Sequence, residues 1–416
     1  KIVEECPSPA VDDALRAELG AAAVAAGKAI GYTGAGTVEF VLDRDGRFFF
    51  LEVNTRLQVE HPVTECVYGV DLVALQIEVA EGIALRDPPR ASGHAIEARL
   101  YAEDPAEGYR PHSGVLHAFE VPGVDAEFRT PAAYGLRLDT GVASGSVIST
   151  HYDPMLAKVI AYAPTRAAAA RRLATALAGA RVHGPVTNRD QLVNTLRHDA
   201  FLGGATDTGF LDRHDTTTPL ADDEAVRLSA LAAALATAAA NRAAAAVLGD
   251  LPSGWRNVPS QPQRASFEEA EVAYRLTRDG LVAEGHAGTG LVAAGPDEVV
   301  LTSGGVRLRF AVARYDGRVH VDSVLGAVTL TPLERLPDPA EQVAPGTLLA
   351  PMPGSVIRIA VSEGDTVERG QPMLWLEAMK MEHQILAPAA GVVTALHAEV
   401  GGQVETGAVL AVVTDK

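Results

Sequence analysis

The sequence predicts a multidomain α+β chain that ends in a small all-β barrel. Three observations predict it. The first half interleaves helix-like segments with short period-two β runs. A strongly Ala-rich helical stretch, Asp222 to Leu248, is followed by many short β-like runs separated by glycines. The last unit contains an internal repeat of strand–turn–strand character.

The elements follow in order. Residues 12–30 read as a helix, with Asp12 able to cap it, Ala and Leu filling it and Gly31 after its end. TVEFVLDRDGRFFFLEV holds two β-rich runs around Asp45-Gly46, which predicts a hairpin with a two-residue loop. Period-two alternation runs on through FFFLEVNTRLQVEHP, residues 48–62, so the strand is expected to continue to Pro62. Residues 70–83 have a helical pattern, and HAIEARLYAE (94–103) alternates as a strand. Short strands and turns continue to about residue 163. An Ala-rich helix starts at Thr165, and residues 188–203 predict one short helix. The runs from Trp255 to Leu333 read as a strand-rich module. PLERLPDPAEQVAPGT is a Pro-rich linker, and a compact β unit runs from Leu348 to the end.

The chain has 416 residues, enough for two to four domains, and 47% are hydrophobic, enough for sizeable cores. Its net charge of −18 argues against nucleic acid as a main partner. Any anionic substrate must therefore be held by locally placed Arg or Lys. Cys6 and Cys66 lack metal-ligand spacing and read as inert thiols of a reducing interior. No run approaches a membrane span or a signal peptide. The opening KIVEECPSPAV reads as the middle of a domain of a longer polypeptide.

With Asp45-Gly46 as the loop, Arg44 pairs with Arg47 and Asp43 with Phe48. Continuing outward, the sixth pair is Glu39 with Glu52. Like charges directly opposite each other destabilise a sheet. A divalent cation between them reverses the sign, and oxygen-only ligands suit Mg²⁺ or Mn²⁺. Asn54 shares the face of Glu52 and adds a neutral oxygen. Arg56, Gln58 and Glu60 follow on that face if the chain stays extended. They supply a fixed cation, an amide and a possible general base. The bland alternative is an amphipathic strand with its polar face in water.

GAGTVEF, with Glu39, and LEVNTRLQVEHPVTE resemble the metal and active-site strands of biotin carboxylase, an ATP-grasp enzyme. HAIEARLYAEDP, around Arg99, and STHYDPMLAKV, residues 149–159, resemble two further signatures of that family. The resemblance covers residues 1–205 and implies roles. Glu39, Glu52 and Asn54 would bind the metal that bridges ATP phosphates. Arg56, Gln58 and the backbone of Val59 would hold bicarbonate, with Lys1 beside it. Glu60 would deprotonate bicarbonate, which then attacks the γ-phosphate to give carboxyphosphate. Arg99 would stabilise the biotin enolate oxygen. His151, Asp153 and Lys158 are read as framework residues.

In the tail, Gly354, Gly364 and Gly370 recur as Gly391, Gly401 and Gly407 at one offset, and SVIRIAVSEGDTVERG lies over VVTALHAEVGGQVETG. Two such units predict one flattened barrel with pseudo-twofold symmetry. Between them, Met379-Lys380-Met381 sits at an exposed hairpin tip. EAMKMEH resembles the biotinylation site of biotinyl carrier domains, which implies covalent biotin on Lys380. A lipoyl domain shares the barrel but usually has Asp where Met379 stands.

The order of parts resembles the α subunits of acyl-CoA carboxylases of the propionyl- and 3-methylcrotonyl-CoA type. It implies the C-terminal part of an ATP-grasp domain over 1–90 and a biotin carboxylase C-terminal domain over 91–205. A helix-plus-β-barrel subunit-docking domain would occupy 206–340, a linker 341–347 and a biotinyl carrier domain 348–416. PSGWRNVPSQPQ (252–263) looks like the start of that family's connecting domain, in which a long helix is wrapped by a barrel that docks a carboxyltransferase β subunit. The implied partners are that subunit, biotin protein ligase and other α subunits, with no nucleic acid and no membrane. The implied location is a bacterial cytoplasm, or a mitochondrial matrix if the source is eukaryotic. The rivals are a pyruvate- or urea-carboxylase-type enzyme, and an inactive carrier or assembly subunit.

Overall fold

The computed structural model describes all residues except 250, 252–254, 256, 259, 336–345, 379–380 and 415–416. Helix α1 spans Asp13–Ala29, and the Asp12 carboxylate accepts the Leu15 N–H at 2.8 Å as its N-cap.

Strands β2 (Thr37–Leu42) and β3 (Phe48–Asn54) form the expected hairpin, with two corrections. The loop is longer than Asp45-Gly46. The Asp43 carboxylate accepts the N–H groups of both Asp45 and Arg47 at 2.9 Å, and Gly46 takes a positive φ of 79°. That Asx turn closes Asp43 onto Arg47 and shifts the register by one, so Leu42 pairs with Phe48 and Phe40 with Phe50. Leu51 is then the extra residue of a β-bulge, which shifts the register back and restores Glu39 opposite Glu52.

The second correction is that the strand ends at Asn54 rather than Pro62. Residues 55–60 turn, and helix α2 (His61–Tyr68) begins with Pro62 in its first turn and stops at Gly69 in the left-handed region. Helix α3 follows over Leu72–Ala80 with Asp71 as its N-cap.

The main sheet of this half has five strands. Strand β1 (Val3–Cys6) lies at one edge, followed by β4 (His94–Tyr101), the strands Met155–Ala163 and Gly135–Thr140, and finally Ala126–Glu127. One face is apolar. Ile96, Ala98, Leu100, Leu138 and Val159 are buried there against helices α4 (Arg166–Ala178) and α5 (Arg189–Arg197). The expected single helix over 188–203 is two, because His198 is extended between α5 and the short turn Asp199–Leu202.

The other face, beneath α2 and the turn before it, is charged. The register aligns Arg137, Ile160, Glu97 and Glu4 in one row, and Asp139, Lys158 and Arg99 in the next. At one end of this face Val63, Cys66, Val67, Ala95 and Ile160 form a small apolar seal.

The Ala-rich segment forms a helix over Asp223–Ala243. It is buried along most of its length, with Leu228, Leu231, Leu235 and seven alanines among its buried residues. A three-stranded and a five-stranded antiparallel sheet, spanning Gln263–Leu330, surround it. A helix apolar on all sides must be enclosed in this way, and its alanines let the strands come close. This module meets the first half where His117 stacks on Tyr315 and His183 lies 2.8 Å from Asp322.

The tail is two four-stranded sheets. One runs Thr347–Leu349, Val409–Thr414, Gly391–Leu396, Thr366–Val367, and the other Met381–Leu386, Pro372–Ala378, Gly354–Ile359, Gln403–Val404. The repeat offset carries each central strand of one sheet onto its counterpart in the other, as the sequence repeat predicts. Both repeats place a glycine where the backbone leaves no room: a Cβ on Gly354 would lie 2.8 Å from the Glu377 carbonyl, and one on Gly391 would meet the Thr414 carbonyl. Gly354→Ala is expected to destabilise this barrel by about 1–3 kcal/mol. Calorimetry should show the tail's transition move down with the others in place, and an unmoved transition would refute the close approach.

Candidate active site

The paired strands bring the first group together. Asn54 donates its side-chain N–H to Glu39 Oε1 at 2.8 Å and to Glu52 Oε1 at 3.2 Å. Gln58 Nε2 donates to the same Glu39 oxygen at 3.2 Å, and Arg56 Nη1 donates to Gln58 Oε1 at 2.8 Å. The two carboxylates therefore converge on one shared donor, the Asn54 amide, which offsets their mutual repulsion. Among the described residues no cluster of three or more His, Cys, Asp or Glu is arranged to hold a metal, so a cation here would rest on two carboxylates and an amide oxygen.

The second group forms where the chain leaves the strand. Turning, rather than staying extended, still delivers Gln58 and Glu60 to one place. His61 Nδ1 lies 2.7 Å from the Gln58 carbonyl, and Lys158 Nζ donates to the Val59 carbonyl at 2.8 Å. Glu60 stands at the N-cap of α2 but makes no capping bond with its side chain. Its carboxylate instead accepts from Arg99 Nη2 at 2.8 Å, and the same nitrogen reaches Glu4 at 2.9 Å. Arg56, Gln58 and Glu60 line a cavity of about 340 Å³ with Leu72, Leu75 and Gln76, and His61 separates it from a second of about 540 Å³ over Arg137, Asp139 and Lys158.

Several of these groups were not singled out in the sequence. Glu4 reaches Arg99 from the edge strand, and burial raises its pKa against the opposing pull of Arg99. Glu97 is fully buried with both oxygens lacking a hydrogen-bond partner, 3.7 Å from Arg99 Nε. It lies two residues before Arg99 on β4, so period-two reading places both on one face.

Burial pushes the Glu97 pKa from 4.5 up to about 8. The folded state thus holds this proton more tightly than the unfolded chain does. Its contribution to stability is complete below the ordinary value and is lost as pH rises through about 8. Glu97→Gln is expected to flatten that loss, by on the order of a few kcal/mol above pH 8. Urea unfolding across pH 5–9 checks it, and parallel curves for variant and wild type would count against a protonated Glu97.

The remaining sequence candidates are placed as follows. Lys1 is exposed ahead of β1, and its charge acts on Glu4. Asp153 accepts the Met155 N–H, and the His151 N–H donates to Ser149 Oγ, both within one local turn. Burial pushes the thiols of Cys6 to about 11 and Cys66 to about 12, so neither offers a thiolate. Lys380 and Met379 lie outside the described residues, as does most of the expected linker. The strands that flank that pair are described, and Ala378 pairs with Met381.

Four family models match the chain. Residues 1–87 match "Carbamoyl-phosphate synthase L chain, ATP binding domain", and 97–213 match "Biotin carboxylase C-terminal domain". Residues 223–335 match "Methylcrotonyl-CoA carboxylase, alpha-subunit, BT domain", and 346–413 match "Biotin-requiring enzyme". The mitochondrial methylcrotonoyl-CoA carboxylase subunit alpha of Arabidopsis thaliana is 34% identical over 99% of this chain and 62% of the relative. The propionyl-CoA carboxylase alpha chain of Ruegeria pomeroyi is 37% identical over 96% and 63%. The chain thus spans a little under two thirds of the length of these relatives. Among solved structures, pyruvate carboxylase of Rhizobium etli with acetyl coenzyme A superposes with a TM-score of 0.51 at 36% identity, covering 58% of this chain and 23% of that one.

Proposed function

Since the chain belongs with the α subunits of the biotin-dependent acyl-CoA carboxylases, whose ATP-binding, carboxylase, BT and biotin domains it carries in order, we propose that it carboxylates biotin held on Lys380, using ATP and bicarbonate. The observation that carries this reading is the Glu60–Arg99 contact. It joins a base and a fixed cation from motifs far apart in sequence, beside the Glu39–Glu52 pair.

Arg56, Gln58 and the Val59 N–H hold bicarbonate, and Glu60 takes its proton. Arg99 fixes the Glu60 carboxylate by its Nη2 hydrogen bond and presents positive charge where negative charge develops on the acceptor. Glu39, Glu52 and Asn54 suit Mg²⁺ or Mn²⁺. The shared amide supports this, since it marks one point on which hard oxygens converge, and the Asn54 amide would turn its oxygen inward. The cation supplies charge neutralisation for the ATP phosphates. Biotin supplies the ureido nitrogen that accepts the carboxyl group.

Transfer to an acyl-CoA, with 3-methylcrotonyl-CoA or propionyl-CoA favoured, then falls to a separate carboxyltransferase β subunit. The helix-in-sheet module over 223–335 is its docking domain, and a biotin protein ligase modifies Lys380. Contacts between α subunits complete the complex. No described helix is long and apolar enough to cross a membrane, and the plant and animal relatives are mitochondrial. We assign the chain to a bacterial cytoplasm or a mitochondrial matrix. The BT-domain match favours this reading over a pyruvate- or urea-carboxylase type, and the complete Glu39, Glu52, Arg56, Glu60, Arg99 set favours it over an inactive carrier.

The test uses the native complex with ATP, Mg²⁺ and labelled bicarbonate, offered acetyl-, propionyl- or 3-methylcrotonyl-CoA separately. Label in one acyl-CoA is the expected result. Absence of ATP-dependent label from both protein and acyl-CoA, in a biotinylated chain, would overturn the reading.

A further inference from the structure

We propose that Lys158 is a positioning residue for the base Glu60, acting through the Val59 carbonyl; this rests on the reading of residues 56–60 as the bicarbonate turn. The Val59 carbonyl belongs to the peptide group that carries the Glu60 N–H. A donor on that oxygen sets the plane from which the Glu60 side chain departs. Lys158 Nζ is that donor, at 2.8 Å.

The turn has no strand partners of its own, so each carbonyl is held separately. Gln58 O is held by His61, Val59 O by Lys158, and Glu60 O by the Val63 N–H at 3.2 Å. Two of these contacts are local, from residues three positions on. Only the middle one crosses to the sheet, and it connects the turn to the strand that pairs with Arg99. Lys158 is therefore the link that keeps Glu60 in register with Arg99.

Lys158 is itself fixed. Its side chain is only 12% exposed, and Nζ lies 3.4 Å from Asp139 Oδ2. Asp139 accepts from Arg137 Nε at 2.8 Å and from Nη2 at 2.9 Å. Arg137 Nη1 donates to Glu65 Oε2 at 2.6 Å, and Glu65 Oε1 accepts the Leu72 N–H at 2.8 Å. A continuous chain of charge-assisted bonds thus runs from Val59 across the sheet to α2 and the first turn of α3. Lysine is scarce here: five stand against thirty arginines. An arginine at 158 would serve an ion pair with Asp139 equally well. A single point donor on a slender stem suits the carbonyl.

The test uses the full-length protein and compares wild type, Lys158→Met, which removes the donor, and Lys158→Arg, which keeps one. The readouts are kcat and KM for bicarbonate-dependent ATP cleavage, thermal unfolding, and amide hydrogen exchange of the segment 56–64. Lys158→Met is expected to lower kcat on the order of 10- to 100-fold, as displacement of a reacting group by about 1 Å does, with KM for ATP unchanged. Exchange should speed up in 56–64 and not elsewhere in the sheet, and Lys158→Arg should recover part of both. Wild-type kcat and exchange in Lys158→Met would overturn the proposal alone. So would a loss of kcat matched by sheet-wide exchange and a lower unfolding temperature in both variants, which would mark a structural role. Wild-type protein without bicarbonate-dependent ATP cleavage would overturn the proposed function and, with it, this role.

Discussion

Arg99→Ala is expected to cut biotin carboxylation by roughly 10²–10³-fold and to destabilise the surrounding fold. The guanidinium is 9% exposed and its Nη2 serves Glu60 and Glu4 at once, with Glu97 close to Nε. Removing it leaves the Glu60 and Glu4 carboxylates facing one another without their shared cation. Breaking a buried pair in this way costs about 3 kcal/mol or more. The catalytic loss is separate. Removal of one preorganised charge at a developing anion lowers kcat by roughly 10²–10³-fold. Arg99→Lys separates the two effects. An ammonium keeps the charge and most of the stability, but it lacks the planar fork and is expected to recover little activity. Steady-state carboxylation and thermal unfolding of both variants check this. An Arg99→Ala protein working within tenfold of wild type would remove Arg99 from the site.

Lys380→Arg is expected to leave the protein without covalent biotin. Guanidinium stays protonated at every accessible pH, so it cannot act as the nucleophile in amide formation. The experiment is clean because the only other lysines are Lys1, Lys28, Lys158 and Lys416. Streptavidin should detect wild type and not the variant, and intact mass should differ by one biotinyl group beyond the substitution. Free biotin should still be carboxylated, because Glu60 and Arg99 are untouched. Streptavidin binding by Lys380→Arg would place the attachment on another lysine and displace the carrier assignment.

Local chemistry was the legible part of this chain. Asp12 caps α1 as its side chain predicts, and the glycine repeat of the tail predicts both sheets. Glu39 does face Glu52, although the path to that pairing differs: a longer Asx-stabilised loop and a bulge at Leu51 cancel each other. Alternation also hid a helix. Residues 55–62 keep a period of two while the backbone turns, and the stronger signals were Pro62 in the first helical turn and Gly69 at the end. Glu97 was within reach of a period-two reading. Glu4 was not, because only the pairing of β1 with β4 brings it to Arg99. The Lys158–Val59 contact is equally non-local, joining residues 99 positions apart.

The enclosed helix of the middle module sets a timetable for synthesis. Asp223–Ala243 leaves the ribosome first, yet the last strand that covers it ends at Leu330. Full cover of its apolar surface must wait for about 90 more residues, which at typical elongation rates is roughly 5–20 s. During that interval the alanine-faced rod is covered strand by strand, from Glu271–Thr277 early on to Gly326–Leu330 last. Slow codons placed before residue 330 would lengthen the exposure, and a chaperone that shields helices early would shorten it. Expression yield of this module should therefore depend on translation speed more steeply than that of the tail barrel, whose strands are all made within one short stretch.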